Sequence, residues 1–112
     1  MPDVTNRPQE RAARTEALFR ETNEAIERGL WPAGEADAVR FRCECAQLDC
    51  HTILRLTLPE YEYVRENPRR FVVAFGHEVP EAETIVERHQ DYLVVEKRGV
   101  SGAEAERLDP RS

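Results

Sequence analysis

All three cysteines of this chain fall within eight residues, as Cys43-x-Cys45-x4-Cys50. On an extended segment, residues two apart project from the same face, so the Cys43 and Cys45 sulfurs can converge, and a turn after them brings Cys50 back. Three thiolates at one point suit a tetrahedral ion. Zinc takes sulfur at ~2.3 Å and imidazole nitrogen at ~2.0 Å, and its structural sites close with four such ligands. His77, in a glycine-preceded break after an apolar run, is the expected fourth ligand. His51 directly follows Cys50, and adjacent side chains diverge, which makes it the weaker candidate; water, a carboxylate such as Asp49, or no fourth ligand is the remaining option. The expected metal set is Cys43, Cys45, Cys50 and His77 around Zn2+, although cobalt and iron tolerate similar ligands. Two other readings stay open: buried cysteines acting as small apolar side chains, or a redox or nucleophilic thiol activated near Arg42 and His51. The odd count argues against a disulfide framework.

The spacing of apolar residues predicts an α+β fold in one structural unit of 112 residues. Residues 1–29 read as an amphipathic helix with Asn6 as its cap and a stripe at Thr15, Leu18, Phe19, Thr22, Ala25 and Ile26, leaving Arg14, Arg20, Glu21, Glu24 and Glu27 to face water. Residues 30–37 read as a linker pinned by Trp31. Residues 38–98 form the expected metal-stapled core. Within it, alternation places Val39, Phe41, Cys43 and Cys45 inward and Arg40, Arg42 and Glu44 outward, and Thr52 to Leu56 gives a second strand. Thr57 and Glu60 have capping-box spacing for a helix burying Leu58, Tyr61 and Val64, with Glu62, Arg65 and Glu66 outward. The run from Phe71 to Phe75 reads as a central strand, and the runs 83–87 and 92–96 as a hairpin around an exposed His89. The sheet is expected to be mostly antiparallel. Residues 99–112 hold almost no large apolar side chain and read as a flexible tail.

The net charge of -6 disfavours broad contact with a phosphate backbone. Fifteen of the sixteen basic residues are arginines, Lys97 being the lysine. No apolar run approaches the ~20 residues of a membrane span, and the opening Met1-Pro2-Asp3-Val4 carries no secretory pattern, so a cytoplasmic location is expected. Tyr61 and Tyr63 with Arg65, Arg69 and Arg70 could serve nucleic acid or an anion, but three glutamates on the same helix weaken the field. Glu78, Glu81 and Glu83 could supply a general base if a metal kept a water.

The core, with C-x-C-x4-C, an LT-x-x-EY-x-x-VR helix start, a P-x-RF-x-V strand and a GHE turn, resembles a group of small bacterial proteins, best represented in high-GC genomes, with no established activity. The helix segment EALFRETNEAIE resembles theirs as well. The resemblance supports treating Cys43, Cys45, Cys50 and His77 as a set. The function expected is a structural-zinc module for protein interaction or regulation, with a homodimer through the N-terminal helix as one arrangement. The alternatives are a metal-dependent enzyme with an open coordination position and a nucleic-acid adaptor.

Overall fold

The computed structural model describes residues 7–30 and 37–111. The expected Asn6 cap and the Trp31 anchor lie outside them. The elements run α1 (Arg7–Leu30), β1 (Val39–Arg42), β2 (Ile53–Leu56), α2 (Leu58–Arg65), β3 (Arg70–Val73), β4 (Glu83–Arg88), β5 (Leu93–Lys97) and α3 (Gly99–Arg107). The fold is α+β with antiparallel pairing throughout, but the strands form two small sheets, β1-β2 and β3-β5-β4. The central strand of the larger sheet is β5. β3, which its apolar run marked as central, is an edge strand.

That edge is covered, which explains why Phe71, Val72 and Val73 are all fully buried. The chain leaving β1 lies against it: Glu44 N–H donates to Val72 O at 2.7 Å, the Glu44 carboxylate accepts from Val72 N–H at 3.0 Å, and Cys43 Sγ accepts from Ala74 N–H at 3.1 Å. Residues 43–44 thus join the two sheets and remove an open edge. Glu44, expected to face water, is fully buried, its Oε2 also accepting from Tyr61 OH and Asn23 Nδ2. Such a carboxylate persists in the interior because each oxygen has donors.

α2 forms as its sequence predicts. Thr57 and Glu60 exchange both bonds of a capping box, and Leu58, Tyr61 and Val64 are buried, Tyr61 stacking on Phe41 at 4.4 Å. Arg65, expected outside, is buried as well. Tyr61 and Arg65 are therefore structural, and the patch that suggested nucleic acid is not a surface feature at those two positions.

α1 is rotated from its expected orientation. Leu18 is 50% exposed, whereas Ala13, Glu16, Phe19, Arg20, Asn23, Glu24 and Glu27 are buried. The inward face is charged because each charge meets a partner from a distant element. Arg20 donates to Pro68 O and Ala105 O and lies 4.3 Å over the Phe71 ring. Glu24 receives Arg65 and Arg111, and Arg111 also reaches Glu27 and Glu62.

Several of those partners come from the segment expected to be a loose tail, which corrects that expectation. α3 packs on α1, and Asp109 is buried in an ion pair with Arg65 at 2.6 Å. Small side chains make this possible: a Cβ on Gly102 would stand 2.8 Å from Lys97 O and 2.5 Å from the Arg69 guanidinium. Lacking large apolar residues, the segment attaches by close backbone approach and ion pairs, which hydropathy does not register.

A second buried network sits beneath α1. Lys97 Nζ lies 2.7 Å from both Glu16 and Glu83, with all three side chains shielded from water. Two carboxylates share one ammonium, so one of them is better off neutral. Burial raises the Glu16 carboxyl to about 8; Lys97 opposes the rise and Glu83 adds to it. Between the ordinary value of 4.5 and about 8, the folded protein holds a proton that the unfolded chain has lost, so this group's contribution to stability declines as pH rises through that window. Glu16→Gln is expected to flatten the decline and to gain ~1–3 kcal/mol at pH 9 in urea unfolding. An unchanged pH profile would assign the shared proton elsewhere.

Candidate metal centre

Three separate stretches of chain converge on one point. Cys43 extends the β1-β2 ladder by one residue, its N–H donating to Thr52 O at 3.0 Å. From there the chain leaves strand geometry, and a turn in which Cys50 N–H donates to Gln47 O at 3.0 Å folds Cys50 back towards Cys45. His77 arrives from beyond β3. Its N–H donates to Ala74 O, and Gly76 takes φ +82°, a left-handed conformation that costs a residue with a Cβ about 1–2 kcal/mol.

The ligand atoms of Cys43, Cys45, Cys50 and His77 all lie within 4.8 Å of one another. His77 Nδ1 is 3.5 Å from Cys43 Sγ and 3.6 Å from Cys50 Sγ. Bonds of ~2.3 Å to sulfur and ~2.0 Å to nitrogen, opened to the tetrahedral angle, place S and N roughly 3.5 Å apart. The group could therefore hold a metal ion without rearrangement of those pairs. The three cysteines are free and buried. His51, by contrast, is exposed and is not among the converging side chains, and neither is Asp49. Of the acidic residues after His77, Glu83 is committed to Lys97, and no carboxylate belongs to the cluster among the described residues. His89 is neither a member nor free on the surface: it stacks on Tyr92 and pairs with Glu87.

Backbone donors surround the sulfurs. Ala74 N–H points to Cys43 Sγ at 3.1 Å, and Gln47 N–H supports Cys45. Such bonds orient thiolates and moderate the negative charge of three sulfurs against one dication. The hydrogen bond that Cys45 accepts from Cys43 is the main reason its thiol falls to about 5, while the Cys43 thiol is driven up. Thiolate character at Cys45 suits metal binding, since the bound form of the ligand is the deprotonated sulfur.

α1 holds the frame in place. Asn23 pairs with both backbone groups of Arg42, its Oδ1 accepting from the N–H and its Nδ2 donating to the carbonyl, each at 2.8 Å. The Arg42 guanidinium lies 4.5 Å over the Phe19 ring and donates to Cys50 O at 2.7 Å. Sequence reasoning missed Asn23 and Glu44 as site supports. The available signal was the polar i, i+3, i+4 row at Glu16, Arg20, Asn23, Glu24 and Glu27, which reads equally well as a solvated face.

No protein family, curated protein or solved structure gives a significant match to the chain.

Proposed function

We propose that the chain is a structural-zinc α+β domain working in a reducing compartment such as the cytoplasm, and that it serves as an interaction or regulatory module for another protein. The observation supporting this reading is the four-atom cluster drawn from three chain segments, with S···N distances that suit a tetrahedral ion. Four protein ligands leave no coordination position for water or substrate, so such an ion staples and does not catalyse. Zinc is favoured because three thiolates and one imidazole match its preference for sulfur and nitrogen. Three unpaired cysteines fit a compartment that keeps thiols reduced. Among the described residues no helix is long and apolar enough to cross a membrane.

Elemental analysis of protein purified without chelator tests the reading. One zinc per chain is expected, and Cys45→Ser is expected to lose it. Cobalt substitution should give the intense visible bands of a tetrahedral thiolate site, unaltered by azide or cyanide. Bands that shift with those anions would reveal an open position and favour a metal-dependent enzyme, and protein purified free of metal would overturn the proposal.

A further inference from the structure

On the side of α2 that faces the β4-β5 hairpin lies a cleft of about 280 Å³. Its walls are apolar, with Pro59 and Val64 on one side and the Tyr63 and Tyr92 rings bordering it. His89 stacks on Tyr92 at 4.4 Å and 14°, extending the aromatic wall. Tyr63 is 54% exposed, whereas Tyr61 and Tyr92 are buried, so its ring is available to a ligand. Two carboxylates, Glu60 and Glu87, complete the lining.

Those carboxylates are held in place. Glu60 Oε1 accepts from Thr57 N–H at 2.8 Å, and the Tyr92 hydroxyl engages the same carboxylate. Glu87 Oε1 lies 2.7 Å from His89 Nε2, which leaves Oε2 without a donor among the described residues. A greasy, aromatic wall beside one fixed carboxylate oxygen is complementary to a cation on an apolar stem.

We propose that this cleft receives a lysine side chain presented by a partner protein. Its methylenes would lie along Pro59 and the exposed Tyr63 ring, and its ammonium beside the Tyr63 face and Glu87. Lysine fits better than arginine because a guanidinium gains most from a two-oxygen fork, and Glu87 has one oxygen already taken by His89. The net charge of -6 draws a basic partner from a distance. The inference names a partner chemistry for the module, and it involves neither the ion nor its ligands.

Titration of the metal-replete protein with a short capped peptide carrying one lysine, followed by amide NMR shifts, tests it. Saturating shifts confined to Tyr63, Val64, Glu87 and Tyr92 are expected, weakening with salt. Tyr63→Ala should weaken binding about three- to fivefold while Tyr63→Phe retains it, and Glu87→Gln should remove most of the salt dependence. A norleucine peptide of the same length is expected to give no saturation. Equal binding of norleucine would make the cleft a plain apolar groove, and tighter binding of an arginine peptide would overturn the assignment to an ammonium. Shifts elsewhere, or none, would overturn the proposal altogether. Because the protein used is metal-replete and its zinc content is measured separately, failure here leaves the metal reading untouched.

Discussion

On the proposed structural-zinc reading, chelation is expected to unfold the middle of the chain, the largest effect any single perturbation should produce. Structural zinc contributes ~10–16 kcal/mol of apparent binding free energy in small domains, comparable with the ~5–15 kcal/mol that separates a whole domain from its unfolded state. The loss should centre on residues 43–77, whose ends the cluster would join, and should reach the adjoining sheet junction at Cys43, Glu44 and Val72. Circular dichroism and amide exchange with and without a strong chelator measure it. The two histidines give the decisive contrast. His77→Ala should lose metal and most of the stability, whereas His51→Ala, at an exposed position away from the cluster, should retain both. Full metal retention in His77→Ala would refute the Cys3His assignment.

Replacing Arg65 is expected to have the next largest effect. Its guanidinium is fully buried and bridges Glu24 on α1 to Asp109 beyond α3. Arg65→Met leaves two buried carboxylates facing each other with Arg111 as the remaining cation, and breaking such a pair costs about 3–5 kcal/mol. The cost should depend on pH. Burial alone would raise the Asp109 carboxyl, but the Arg111 N–H and the Arg65 guanidinium outweigh it and hold the group below its ordinary 3.8. A lowered carboxyl stabilises above its unfolded value and loses that contribution as pH falls, so the gap between wild type and Arg65→Met should narrow below about pH 4. Denaturant unfolding at pH 7 and pH 3.5 measures both. A gap that is small at pH 7 would mean that the Arg111 ion pairs and the backbone contacts hold the tail without Arg65.

The elements whose signals are local were legible in the sequence. The capping box at Thr57 and Glu60 formed as spaced, the hairpin around His89 closed where its turn residues stand, and alternation placed Val39, Phe41, Cys43 and Cys45 inside. The convergence of the cysteines followed from their spacing, and His77 over His51 from the divergence of adjacent side chains. Misread features share one cause. Arg20, Glu24, Glu27, Glu44 and Arg65 were placed in water because a lone charge belongs there, and each is buried because a partner reaches it.

The chain order alone therefore specified the helices and strands up to β5, though not α3, and which four side chains could grip an ion, because those depend on residues a few positions apart or on ligand chemistry. Tertiary structure decided the face that α1 turns inward, the edge position of β3 and the docking of residues 99–111. Those outcomes rest on pairs such as Arg111 with Glu24, separated by 87 positions, and Arg65 with Asp109, separated by 44. A charge enters the interior when its counter-charge is already there to meet it, and no local pattern records where that counter-charge will come from.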